Sequence, residues 1–336
     1  MLALPAALEA SVAAALKDVP AAQWMSAARA LSERYRAERA GGERPLARGA
    51  PAALGYAALI LPAAYAQLHG AMAATAARIP DWRPTTMLDL GSGPGTALWA
   101  ALEQWPSLGT FQAWEREPAF ITLGQRLAAS GPRPLARATW RQIALDGPLP
   151  ADTPRYDLVV LGHVLNELDE PVRQRLVAWA WEHCAGLLLI VEPGTSAAFP
   201  VVRAARDQLL ATGARTIAPC AHDAPCPLQG DWCHFPQRLE RPAFQRRAKD
   251  AAAGSEESKF SYAAMARFGT DPIWGRLIHQ PQIHKGFAEL IVSSRDGIVR
   301  PRVFKRDRER YREVSDYRWG DALPTPVEPT PPTAKE

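Results

Sequence analysis

Cysteine is scarce in this chain: four residues in 336, at positions 184, 220, 226 and 233. A secreted disulfide framework spreads more cysteines through a shorter chain, so that class is excluded. Long apolar runs are missing too. No stretch of 18 apolar residues free of charge occurs, which excludes a simple membrane-spanning helix. Charge of one sign is in short supply, because the formal net charge is only +4, and charge alone selects no partner. No internal repeat is present. The first 16 residues are apolar and Ala-rich but contain Glu9 and no Arg. The pattern then continues as an amphipathic helix through Ala40, unlike a secretory signal or a transit peptide. A cytoplasmic protein with no membrane partner is therefore expected.

What is present has a clear order. Residues 1–84 read as a helical N-terminal cap. Leu8, Val12, Leu16 and Val19 fall at near-helical spacing, Gly41 and Gly42 stop the pattern, and residues 53–79 resume it around Pro62. From Thr85 strands alternate with helices, which predicts a doubly wound α/β core over 85–213 with a parallel sheet. Its strands are placed at 87–90, 110–114, 156–162 and 187–191. The last two are nearly all apolar, as for strands covered on both faces. Residues 214–249 break the pattern and read as a Cys/His-rich insertion. Residues 250–321 hold two late strands, 287–293 and 298–305, about an Arg-Asp-Gly turn at 295–297, which predicts a hairpin closing a seven-stranded sheet. The tail, 322–336, holds five prolines in 15 residues and is expected to be disordered.

The most informative turn is Asp89-Leu-Gly91-Ser-Gly93-Pro-Gly95, between a strand and a helix. Glycine permits the tight turn and lets a ligand approach the backbone, and the following helix offers free N–H groups. Glu115 ends the next strand, 20 residues after Gly95, where a carboxylate can accept from both hydroxyls of a ribose. The dinucleotide fingerprint spaces its glycines i, i+2, i+5. The i, i+2, i+4 spacing here resembles the loop of class I methyltransferases, which bind S-adenosylmethionine. The alternative is a glycine-rich strand turn in an unrelated α/β fold. Asp89, Gly91, Gly93, Gly95, Glu115 and His163 are the candidate cofactor-binding residues.

Two familiar catalytic arrangements are absent. The loop after the fourth strand reads Gly162-His163-Val-Leu-Asn166-Glu167, not Asn/Asp-Pro-Pro-aromatic, and no cysteine stands where a covalent cytosine mechanism would need one. His163 is a candidate base, and Asn166 and Glu167 are candidates for orienting a substrate or capping the next helix. Structural roles for all three remain the competing reading.

The segment from Pro219 to Phe235 carries Cys220, Cys226 and Cys233 with His222 and His234. Thiolates bind soft or borderline metals. The Cys-x5-Cys-x6-Cys spacing departs from the short zinc hairpin and suits an iron–sulfur cluster at least as well; zinc and inert packing are the alternatives. Cys184, ending a helix, is read as buried packing. Trp232 and Phe235 either stack on a base or pack over the metal.

These motifs occur together with Val-Leu-Asn-Glu-Leu at 164–168, Val-Glu-Pro-Gly-Thr at 191–195, Lys-Phe-Ser-Tyr at 259–262 and Trp-Gly-Asp at 319–321. In that order, from about Tyr56 to Asp321, the chain resembles the methyltransferase-like assembly factors of the mitochondrial small ribosomal subunit and their bacterial relatives. The resemblance implies a class I methyltransferase fold that binds S-adenosylmethionine and works beside small-subunit rRNA. It also implies a 4Fe–4S cluster on four cysteines, three of them Cys220, Cys226 and Cys233. The fourth place falls on Ser293, with His222, His234 and an open iron position as alternatives.

Three functions follow as expectations: methyl transfer to rRNA in ribosome assembly, a non-catalytic rRNA-binding platform, or a small-molecule methyltransferase with structural zinc. Basic stretches at 236–249 (five Arg/Lys against one acid) and 295–318 (nine against five) fit phosphate contact, with a solvated face as the competing reading. RNA rather than DNA is the expected partner, and a monomer the expected state.

Overall fold

A computed structural model describes residues 1–39 and 48–329. The Gly41–Gly42 stop, Ala40 and the end of the proline-rich tail lie outside the described residues. Four helices come first: α1 (Ala6–Lys17), α2 (Ala21–Arg39), α3 (Gly49–Leu59) and α4 (Leu61–Ala76). Leu8, Val12 and Leu16 line the buried stripe of α1, as their spacing predicts. Pro62 starts α4 rather than kinking one long helix. Among the described residues no single helix is long and apolar enough to cross a membrane.

The core then runs β1 (Thr86–Leu90), α5 (Thr96–Gln104), β2 (Thr110–Glu115), α6 (Pro118–Ala129), α7 (Arg133–Ala136), β3 (Thr139–Gln142), β4 (Tyr156–Gly162), a 3-10 turn (Leu165–Glu167), α8 (Glu170–Glu182), β5 (Cys184–Pro193) and α9 (Phe199–Ala211). It continues with β6 (Arg215–Ala218), β7 (Phe235–Glu240), α10 (Ala243–Lys249) and β8 (Ser255–Ala266). The sheet order is β3-β2-β1-β4-β5-β8-β6, with β7 pairing β8 as well. The first five strands are parallel, and β8 is antiparallel to β5. The result is a mixed α/β sheet with helices on both faces. Strand β4 shows why both faces are dry. Leu158 and Val160 enter the core beneath α4, α5 and α6, while Val159 and Leu161 enter the one beneath α8 and α9.

Three sequence expectations need correction. The sheet has eight strands, not seven, and its antiparallel member is β8 rather than the late hairpin. Strand β8 ends in the run 262–266, which includes Ala263, Ala264 and Ala266. Alanine has little strand preference, and only burial between β5 and β6 on both edges makes this run a strand. The hairpin about residues 295–297 does form, as β12 (Val292–Ser294) with β13 (Gly297–Val299), but in a small sheet of its own, β13-β12-β9-β15. There β9 is Gly275–Leu277 and β15 is Ala322–Leu323. A second small sheet joins β10 (Gln282–Ile283), β11 (Phe287–Glu289) and β14 (Arg302–Phe304), backed by α11 (Arg308–Asp316). The insertion is also shorter than 214–249. Its ends are β6, β7 and α10, and only 219–234 lacks regular structure. Finally, the tail does not begin at Ala322, because Leu323 is buried and β15 pairs with β9.

Candidate functional site

The turn from Gly91 to Gly95 joins the carboxyl end of β1 to α5 at the middle of the parallel sheet. Gly91, Gly93 and Gly95 sit at φ of 73°, 54° and 80°, a region costly for any residue with a side chain. At Gly91 a Cβ would also lie 2.5 Å from Val164 Cγ2, whereas at Gly93 it would have nothing nearer than Phe120 Cδ1 at 3.9 Å. A Cβ at Gly93 would thus meet one ordinary contact and no collision.

Glu115 turns back over this loop from the end of β2. Its Oε2 accepts from Gly93 N at 2.9 Å and its Oε1 from Glu117 N at 2.9 Å. Burial raises its pKa, and the backbone N–H groups pull it back. Each oxygen keeps lone-pair capacity toward a diol. Asp89 is buried, and its Oδ2 has no partner among the described residues. Burial, and then the Glu115 charge beside it, push Asp89 up to about 8. An unpartnered buried carboxyl oxygen next to a glycine cradle and the Glu115 carboxylate suits a polar nucleoside. The residues present fit S-adenosylmethionine. Beside the same strand ends, the loop after β3 and α8 leave a cavity of about 450 Å³ lined by Asp146, Gly147, Pro148, Leu149, Arg175 and Trp179.

The candidates after β4 are less promising for chemistry. His163 is held at φ 62°, donates its backbone N–H to Val191 O at 2.8 Å, and keeps a buried Nε2 with no partner among the described residues. Burial lowers it to about 4, so it is a neutral ring and a weak base at neutral pH. Asn166 spends its amide on Glu192: Nδ2 donates to Oε2 at 2.6 Å, while Leu165 N donates to Oε1 at 2.7 Å. Glu192, fully buried at the end of β5 and pushed up to about 8 by burial, therefore clasps the 3-10 turn. Sequence reasoning passed over Glu192. Its signal was an acid ending an otherwise apolar strand, two positions from the glycine of 191–195. Glu167 is exposed.

The three clustered cysteines lie on the irregular segment 219–234. Cys226 and Cys233, with Ile298, pack against the buried cluster of Phe199, Leu228, Ile278 and Ile291. Burial raises the Cys233 thiol well above its ordinary range, and its neighbours Cys220 and Cys226 raise it further, so the three sulfurs share one electrostatic environment. Cys220 is raised by burial and drawn back by Arg206. Cys184 is buried elsewhere, under α8, and its thiol is pushed up to about 12, as suits inert packing. Among the described residues no three His, Cys, Asp or Glu side chains are gathered tightly enough to hold one metal ion, so no preformed metal-binding segment is seen. A cluster spreads its thiolates over different irons and tolerates a wider set than one zinc does.

Two buried arginines frame the thiols. Arg206 Nη2 donates to His222 O at 2.8 Å and Ala224 O at 3.0 Å, and Arg276 Nε donates to Pro219 O at 2.7 Å. Both are 3% exposed, and Arg206 Nε and Arg276 Nη2 have no hydrogen-bond partner among the described residues. Among the described residues Arg276 also has no salt bridge. A buried guanidinium without a carboxylate is costly unless an anion shares its cavity. Three thiolates sharing a metal centre would be such an anion, and cysteine thiolates are the donor set that iron–sulfur clusters use. His234 stacks on Trp232 at a ring distance of 5.2 Å and meets Trp319 edge-on at 4.8 Å, while Trp232 itself is exposed.

The model of the family described as mitochondrial small ribosomal subunit Rsm22 matches residues 50–324, most of the chain and both of these sites. The chain belongs to the Rsm22 family. Among the relatives of this family member is the human mitochondrial ribosome assembly protein METTL17, 28% identical over 304 residues, covering 84% of this chain and 65% of METTL17. Another is Rsm22-cox11 tandem protein 2 of Schizosaccharomyces pombe, 22% identical over 85% of this chain and 45% of the relative. The chain thus spans less than two thirds of the length of either. Among solved structures, the magnesium protoporphyrin IX methyltransferase of Synechocystis PCC 6803 with bound SAM covers 70% of this chain and 90% of its own, at 11% identity and a TM-score of 0.38. At that score it adds nothing to the strand order described above.

Proposed function

We propose that this Rsm22-family protein is a methyltransferase-like assembly factor that binds S-adenosylmethionine at the Gly91–Gly95 turn, holds an iron–sulfur centre on Cys220, Cys226 and Cys233, and contacts small-subunit rRNA. The observation that carries the reading is that one family match, 50–324, takes in both the glycine cradle and the thiol segment with its buried arginines. The names of the relatives, a ribosome assembly protein and a small-subunit family, supply the partner class.

Within the cradle, Glu115 receives the ribose hydroxyls and the N–H groups at the start of α5 face the polar end of the ligand. When bound, S-adenosylmethionine supplies an electrophilic methyl group. At the second site the thiolates supply the ligands, Arg206 and Arg276 offset their charge, and the apolar wall of Ile278, Ile291 and Ile298 keeps water away. A centre of this kind supplies a brace, and a redox couple if an electron partner exists.

A second reading, the platform that binds cofactor and rRNA without transferring a methyl group, is favoured by one observation. Asn166 is committed to Glu192, and the His163 ring is depressed to about 4, so neither of these two candidates is poised for proton transfer. One experiment addresses both. Anaerobically purified protein is assayed for iron, sulfide and zinc, then mixed with immature small subunits and methyl-labelled S-adenosylmethionine. Iron and sulfide with label in rRNA supports the enzyme, and iron and sulfide with bound but untransferred cofactor supports the platform. One zinc with no iron and no sulfide removes the cluster from the proposal.

A further inference from the structure

The three thiols leave one corner of a four-iron cluster without a cysteine, and the small sheet shows what faces it. In β12, Ser293 pairs across from Ile298 on β13 and from Arg276 on β9, so these three side chains share one face of that sheet. Ile291, two residues before Ser293, lies on the same face and belongs to the apolar cluster against which Cys226, Cys233 and Ile298 all pack. Arg276 on this face reaches Pro219 O, next to Cys220, and keeps Nη2 buried without a partner among the described residues. Ser293 is itself buried, at 8% exposure. The neighbouring Ser294 has the opposite orientation and spends its hydroxyl on Gly297 O. Register therefore turns Ser293, and not Ser294, toward the thiols.

The histidines are the rival ligands. His234 stacks on Trp232 and meets Trp319 edge-on, with Nδ1 near Trp232 O at 3.3 Å. The His222 backbone carbonyl accepts from Arg206, while both nitrogens of its ring are buried without a partner among the described residues, so His222→Ala is the variant that weighs it against Ser293.

We propose that the fourth corner of the centre faces Ser293 and Arg276, that it is held through oxygen (Ser293 Oγ or a solvent oxygen) rather than sulfur, and that its iron is the one lost first. This rests on the cluster reading above. Oxygen is a harder, weaker partner for cluster iron than thiolate. One-electron oxidation of the 2+ cluster gives a 3+ cluster, which releases that iron as Fe²⁺ and leaves a 1+ three-iron cluster, so charge and atoms balance.

The full chain, purified without oxygen, is titrated with ferricyanide as the oxidant and followed by iron and sulfide content and by electron paramagnetic resonance. Wild type is expected to lose about one of its four irons, keep its sulfide and develop the three-iron signal. Ser293→Cys, which supplies the missing thiolate, is expected to keep its iron under the same oxidant. Ser293→Ala is expected to assemble the centre and lose iron at least as readily, and His222→Ala to match wild type. Equal iron loss in wild type and Ser293→Cys overturns the proposal, as does collapse of the centre in His222→Ala alone. Wild type without iron or sulfide defeats the underlying cluster reading instead, a result distinct from either.

Discussion

Replacing Gly91 by alanine probes the glycine turn with two separable penalties. The residue sits at φ 73°, where a side chain costs about 1–2 kcal/mol. The new Cβ would fall 2.5 Å from Val164 Cγ2 and 3.4 Å from Leu145 Cδ1. Overpacking of this kind costs about 1–3 kcal/mol. The sum, about 2–5 kcal/mol, is a large part of the 5–15 kcal/mol that ordinary domains possess. Urea unfolding followed by tryptophan fluorescence measures it, with Gly109→Ala as control, since no atom lies within 4 Å of a Cβ there. Val164→Ala removes the collision but not the backbone strain. A double-mutant cycle should therefore return a favourable coupling of about 1–3 kcal/mol, leaving the remainder of the loss in place. Titration with S-adenosylhomocysteine, run in parallel, should show weaker binding in Gly91→Ala. A loss below about 1 kcal/mol, or no coupling to Val164, refutes the account of why glycine stands at 91.

Other consequences can be measured directly. Asp89 is pushed up to about 8 from an ordinary value of 3.8, so the folded chain holds a proton that the unfolded chain releases. That contribution makes stability fall as pH rises from about 4 through about 8. Asp89→Asn should flatten this part of the profile in urea unfolding between pH 6 and 8.5, and an unchanged slope would contradict the assignment. Arg276→Gln should cost about 1–3 kcal/mol, because Pro219 O and Gly320 O lose a buried charged donor. In the loaded protein it should also lower the reduction potential of the centre, since a positive charge beside it favours the reduced form; redox titration reads the direction. Cys184, with its thiol pushed up to about 12, should resist alkylation until the protein unfolds, as peptide mass mapping would reveal.

The core was legible where pattern and burial agree. β1, β4 and β5 are apolar on both faces, and the glycine turn with Glu115 came out as its spacing implied. The edge beyond β5 was not legible. β6 has only four residues, and β8 draws its strand state from neighbours that are remote in sequence. The late hairpin, by contrast, carries a strong local signal and drew the sheet assignment to itself. Side-chain ownership was hidden for a similar reason. Asn166 reads as a catalytic candidate until Glu192, 26 residues away, is seen to hold it. The arginines behind the thiols come from α9 and β9, far from the cysteines in sequence, and no spacing rule links them.

The position of the thiol segment on β8 has a practical meaning. β6 pairs with the last residues of β8 and β7 with its first six, so the irregular segment starts and finishes on one strand. Its span is fixed by the sheet, independently of any bound centre. Loading of the proposed iron–sulfur centre would then close a clasp already sewn to the fabric at both edges. The protein stripped of its inorganic centre should keep a cooperatively folded α/β body, and only the stretch between Pro219 and His234 should exchange its amide hydrogens faster.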